Sequence, residues 1–242
     1  MDGRPFRVRP VVAWATVAAV WLTVGSGNPS ASSASAVPLH VLLTLSSNLT
    51  SLTRQTLISE AERIWRHEQV RIEWAHPGQA LEHPSAPLRV LVVARPPRDE
   101  TASRQWPVAE LIPEAEPRAL AIASIAGAER VVDEATRSGA VDGRMPRERR
   151  LGLVLGRAVA HEIGHFLLAT STHADSGLMR ASIDAREFAA VDGAAFRLDP
   201  DASRWLRERL TASAALTARA EGFSYARHRI DRPVVFGGAS SQ

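Results

Sequence analysis

Three side chains carry the chemistry of this chain: His161, Glu162 and His165, in the run His161-Glu162-Ile163-Gly164-His165. Residues four apart on a helix lie one turn above each other, so both imidazoles can bind one ion from a rigid base. Glu162 is displaced by about 100° around such a helix and can reach a water on that ion without being a ligand. Two nitrogen ligands suited to zinc, an open coordination position and a carboxylate beside a water are the parts of a hydrolytic metal site. The surrounding residues are apolar, and after Arg157 the stretch carries almost no other polar group. Burying three polar side chains there without partners costs several kcal/mol, so they need either a hydrogen-bond network or a metal. The competing reading is a helix with two satisfied core histidines. It leaves the pairing of two histidines at this spacing, next to a glutamate, without a use.

The element that must position them is a strongly apolar helix. Leu151, Val154, Leu155, Ala158, Val159, Ile163, Phe166 and Leu167 recur at helical spacing from Pro146 to about Ala169. Upstream, Val37 to Ser46 reads as a buried strand and the leucine- and isoleucine-bearing segment from Leu52 to Trp65 as a helix with Ser/Thr caps near 50–53. Val70–Ala75 and Leu88–Ala94 read as further strands, with His76–Pro87 as loop. Arg95–Arg118 carries five prolines and no stable period, so it reads as a long loop, with Trp106 a candidate to roof a cleft. Ala119–Ala126 reads as a fourth strand closed by Gly127, and 128–145 as irregular or partly helical. Asp199–Ala220 reads as an amphipathic helix with Ala202, Trp205, Leu206, Leu210 and Leu216 on one face. The fold class is therefore α+β: a mixed, twisted sheet of about four strands, a helix bearing the site, and a mainly helical C-terminal part.

A catalytic zinc usually has three protein ligands. His173 follows His165 by eight residues, beyond Ala169-Thr170-Ser171-Thr172, where a turn can swing it back over the helix; Gly177-Leu178-Met179 comes shortly after. The segment from His161 to Met179 resembles the active-site segment of the zincin metallopeptidases, and most closely metzincins, with a late third histidine and a downstream Met-turn. The usual metzincin pattern, HExxHxxGxxH, is not met throughout: Leu168 stands at its glycine and Ser171 at its third histidine. The resemblance implies zinc on His161, His165 and His173, Glu162 as general base, and Met179 in the turn beneath the metal. Glu187, or Asp184, is the rival third ligand and would resemble the gluzincin arrangement. The resemblance also implies that the last strand, Ala119–Ala126, is an antiparallel edge lining a substrate cleft. Asp175 is a candidate to orient His173, and Arg180, Tyr225 and His228 are candidates for stabilising an oxyanion.

Composition narrows the classes further. The chain has 242 residues, 45% hydrophobic and 23% charged, which excludes disordered, fibrous and multispan membrane classes. All 29 basic residues are arginine, so the sequence pI of about 10.6 overstates a net charge of only +3. Arg4, Arg7 and Arg9 precede an apolar run, Val11–Val24, and a small-residue stretch containing Ala34-Ser35-Ala36, the order of a secretory signal peptide cleaved after Ala36. Without residues 1–36 the chain keeps 26 arginines against 25 acidic residues, too even a balance to hold nucleic acid. With no cysteine, neither a disulfide nor a thiolate block on zinc is available. The expectation is a signal peptide (1–36) followed by one domain (37–242), secreted or periplasmic and with no stable membrane insertion after cleavage. Its expected activity is that of a zinc metallopeptidase, an endopeptidase rather than an exopeptidase, acting on a peptide or protein substrate. The alternative is a non-catalytic exported zinc-binding protein of the same fold. Oligomeric state is not legible.

Overall fold

The computed structural model describes residues 36–77, 88–94, 108–112, 119–139 and 144–212. Strand β1 (Val37–Leu45) buries Leu39, Val41 and Leu43 on one face by simple alternation. Helix α1 (Ser51–Arg66) starts at Thr50, whose hydroxyl accepts the Thr53 N–H at 3.2 Å, and buries Leu57, Ala61, Ile64 and Trp65. A tight return through Gln69, in the left-handed region at φ 58°, opens β2 (Val70–Ala75) parallel to β1. Strand β3 (Leu88–Val93) adds on the other side of β1, also parallel.

Here the structure corrects the sequence reading twice. The proline-rich stretch contains a strand, β4 (Ala109–Ile112), four residues long. It lies antiparallel at the margin of a five-stranded sheet of order β2-β1-β3-β5-β4. Strand β5 (Ala119–Ser124), expected to be the antiparallel edge, lies inside the sheet, parallel to β3 and flanked by β4. Helix α2 (Ile125–Arg137) then begins where the strand was expected to continue. Ser124 explains the switch: its hydroxyl accepts the Gly127 N–H at 3.0 Å, so this glycine sits in a capped first turn instead of ending a strand.

Helix α3 (Arg147–Leu168) runs across the buried face and carries the site. It is as long and apolar as a membrane span, yet 78% of its most apolar window is buried inside the protein. Its approach to α1 is close because Gly152 and Gly156 face that helix; a Cβ on either would sit 2.7 Å from the backbone oxygen of Thr53 or Leu57. Trp65, fully buried, fills the same seam and donates its indole N–H to the Ala160 carbonyl at 3.2 Å. Beyond α3 the chain is largely irregular, with the one-turn α4 (Ala185–Ala189) and a short 3-10 turn (Ala194–Phe196). Helix α5 (200–212) follows, with its first amides accepted by the Asp199 carboxylate. Leu206 and Leu210 are buried as expected, but Trp205 is 45% exposed, with the Arg209 guanidinium 5.4 Å above its ring.

Candidate metal centre

His161 and His165 occupy successive turns of α3, their ring centroids 4.7 Å apart and their planes at 81°. His173 closes the group from outside the helix, 5.4 Å from His161 and 4.9 Å from His165 by ring centroid. One nitrogen from each ring lies within 4.8 Å of the other two. Among the described residues this is the one group of three or more histidine, cysteine or acidic side chains able to hold a metal ion. His165 is buried and His161 half-buried, whereas His173 is exposed, so the centre opens to solvent on the side of His173.

The turn that returns His173 is built from backbone. Ala169 ends α3 in the left-handed region (φ 48°, ψ 45°), a conformation that costs a residue with a Cβ about 1–2 kcal/mol. The reversal lets the Thr170 N–H reach the His165 carbonyl at 3.2 Å and aims the Thr170 carbonyl at His165 Nδ1, 2.8 Å away. Farther on, Gly177 adopts φ 74°, where a Cβ would collide with the Arg197 carbonyl. That same carbonyl accepts the Leu178 N–H at 2.7 Å, and the Leu178 carbonyl faces His161 Nδ1 at 2.7 Å. Met179 is buried directly under Gly164, whose missing side chain makes the room for its sulfur.

These contacts settle the tautomers. A carbonyl can only accept, so Nδ1 of both rings must carry the hydrogen and donate it. In the neutral rings each Nε2 is then a bare lone pair, and the two Nε2 atoms stand 3.0 Å apart. Two acceptors at that distance are satisfied by a cation placed between them, and neutral imidazoles oriented by backbone carbonyls are the state in which histidine binds zinc. The donor set fits the metal. Proton competition is weak: burial pushes the His161 pKa down to about 4, against the Leu178 hydrogen bond and aided by the neighbouring histidines. Burial lowers that of His165 as well.

Glu162 lies against β4. It is 6% exposed, and its pKa is pushed up to about 7, first by burial and then by the negative charge of Glu110; a hydrogen bond from the Leu111 backbone works in the opposite sense. Strand β4 is thus both the element that sequence reading missed and the one that Glu162 faces. The other candidates are occupied elsewhere. Glu187 accepts from Arg180 at 2.5 Å, and Asp184 caps α4 by accepting the Arg186 N–H at 2.8 Å. Arg180 is committed to Glu187 and to the Gly177 carbonyl at 3.1 Å. Asp175 is exposed. Trp106, Tyr225, His228 and residues 1–35 of the expected signal peptide (1–36) lie outside the described residues. Sequence reasoning did not find the carbonyls of Thr170 and Leu178, because a backbone acceptor leaves no mark in residue type.

No protein-family model matches the chain, and no curated protein matches it. Among solved structures the chain is similar to archaemetzincin from Methanopyrus kandleri, with 12% identity and a TM-score of 0.48, over 72% of this chain and 96% of that one. The likeness assigns no residue here a role.

Proposed function

We propose that this chain is a zinc-dependent metallopeptidase of the zincin type, exported by its N-terminal segment and acting as an endopeptidase on peptide or protein chains. The observation that carries the reading is the convergence of His161 Nε2, His165 Nε2 and the His173 ring while both helical Nδ1 atoms are committed to carbonyls. Zinc in this place would supply a Lewis acid and lower the pKa of a water toward neutrality. His161, His165 and His173 would hold it, and the exposed side at His173 leaves room for solvent and substrate. Glu162 takes a proton from the attacking water onto its carboxylate and returns it to the leaving amine. The outer side of β4 has no strand partner among the described residues, and such an edge can hold an extended peptide by main-chain hydrogen bonds. The order of basic, apolar and small residues in 1–36 supports export to the periplasm or beyond.

The test is metal content and turnover together. Purified protein is expected to hold about one zinc per chain by elemental mass spectrometry. His173→Ala should weaken or lose it, and Glu187→Ala should keep it; the reverse result would move the third ligand to Glu187. Glu162→Gln should keep zinc and lose hydrolysis of a peptide library by at least about a hundredfold. Zinc without turnover on any peptide would make the chain a non-catalytic binding protein, and no zinc at all would end the enzyme reading.

A further inference from the structure

One turn before His161, on the same side of α3, stands Arg157, fully buried at 0% exposure. Its Nε donates to Glu60 on α1 at 2.7 Å, and Glu60 is held in turn by Arg63 at 2.8 and 2.9 Å. The other end of the guanidinium leaves the helix pair altogether. Nη1 donates to the carbonyls of Glu187 and Phe188 at 3.2 and 2.8 Å, Nη2 to that of Asp192 at 3.3 Å, and the plane lies 4.3 Å above the Phe196 ring. Besides the buried Ala189 and Phe196, Arg157 thus ties three carbonyls of segment 187–196 to α1 and α3. The next residue along is Arg197, whose carbonyl accepts the Leu178 N–H, and the Leu178 carbonyl in turn accepts the Nδ1–H of His161.

We infer that Arg157 is a positioning residue for the metal centre: through segment 187–197 and Leu178 it fixes the acceptor that orients His161. Segment 187–197 has only single turns and no hydrogen-bond ladder running its length, so the place of the carbonyls of Phe188 and Asp192 depends on the side chain they bind. A guanidinium suits the task because its fork of five donors is planar and permanently charged, reaching an acid on one side and three carbonyls on the other. The partners that orient a metal-bound histidine typically govern metal affinity by about 10–100-fold. The inference rests on the zinc reading proposed above.

The experiment measures zinc affinity by competition with a chromophoric chelator, together with the cobalt(II) absorption spectrum, on the full chain. Its variants are Arg157→Lys and the double variant Arg157→Met with Glu60→Met. The double variant removes both charges of the buried pair, a replacement that folds proteins about as well as the pair itself. It should retain its thermal transition, bind zinc at least about tenfold more weakly and shift the cobalt bands, because the carbonyls of 187, 188 and 192 are no longer held. Arg157→Lys should not rescue affinity, since an ammonium keeps the charge but not the fork. Wild-type affinity in the folded double variant, or full rescue by lysine, overturns the inference. If neither variant folds, hydrogen exchange in the wild type decides. Coupling is reciprocal, so zinc must slow exchange at the Leu178 amide and through 187–197 beyond its effect on α1, and unchanged exchange there overturns the inference. A wild-type chain that binds neither metal removes the zinc reading itself and this inference with it, an outcome distinct from metal bound equally by wild type and variants.

Discussion

The two flanks of α3 are assembled by different physics. Toward α1 it presents Gly152, Gly156 and Ala160, and the contact is close packing around Trp65, sealed by backbone oxygens. Toward the C-terminal segment it presents Arg157, His161 and His165, whose polar contacts there are directed hydrogen bonds with the carbonyls of Glu187, Phe188, Asp192, Leu178 and Thr170. Dispersion and burial are tolerant of small rotations, because many weak contacts each change little. Hydrogen bonds to fixed carbonyls are not, since they weaken steeply with angle. The apolar flank thus holds the helix in the protein, and the polar flank sets where its nitrogens point.

That division can be broken at three places. Glu60→Ala should have the largest effect, a loss of about 3–5 kcal/mol in chemical denaturation, because Arg157 would remain buried and charged without its partner. Burial works against the Glu60 charge, but Arg63 and Arg157 outweigh it and hold its pKa below the ordinary value, so the carboxylate is ionised at neutral pH. A loss under about 1 kcal/mol would show the pair to be incidental.

Glu162→Gln should have the next largest effect, and only in metal-free protein. The folded Glu162 pKa of about 7 lies above its ordinary 4.5, so its neutral form is favoured by folding and its contribution falls as pH rises from 4.5 through 7. The variant should be more stable than the wild type at pH 8, on the order of 3 kcal/mol in urea unfolding, with the difference gone below pH 4.5. His161 titrates in the other sense. Its folded pKa of about 4 lies below the ordinary 6.5, so its contribution is present above pH 6.5 and lost as pH falls toward 4. The variant should accordingly weaken more steeply on acidification from pH 6.5 than the wild type, in which Glu162 offsets part of the loss from His161 and His165.

Gly152→Ala should have the smallest effect. The added methyl meets the Thr53 carbonyl and the Thr56 side chain, an overpacking cost of about 1–3 kcal/mol reduced by roughly 1 kcal/mol of gained helix propensity. Its thermal midpoint should drop while zinc affinity stays within about twofold of wild type. If zinc affinity falls in step with stability, the two flanks are not separable.

Much of this architecture is legible in residue order, and the illegible parts have a common cause. Strands β1, β2 and β3 and helices α1 and α3 declare themselves by period, and the spacing of His161, Glu162 and His165 declares its chemistry. Strand β4 does not, because four residues hold no period and its pairing with β5 does the stabilising. Ala119–Ala126 is ambiguous for a related reason: small apolar residues suit strand and helix alike, and the Ser124 cap decides where one becomes the other. Trp205 was placed on the buried face by helical spacing, yet that spacing cannot tell the middle of a face from its rim. At the site, His173 stands out by residue type, but the left-handed Ala169 that turns the chain toward it is no glycine and gives no signal. Arg157, one arginine in an apolar helix, carries no signal of its role in residue order, because its partners on α1 and in 187–192 are distant in sequence.

The separation of Glu60 from Arg157, 97 residues along the chain, also has a consequence in time. Trp65 and Ala160 are 95 residues apart, and the sheet between them is mostly parallel, so few of its pairings are local. Contacts of that span form only after a large loop-closure entropy has been overcome, and topologies rich in them fold slowly. The helix with two histidines can exist in outline early, since its bonds are local. On the positioning role inferred for Arg157, the acceptor that orients His161 is in place only once α1 and the segment after α4 have both docked. On the zinc reading proposed above, maturation of the site is then tied to completion of the fold, and a partly folded chain would offer metal two loosely held imidazoles in place of the finished site.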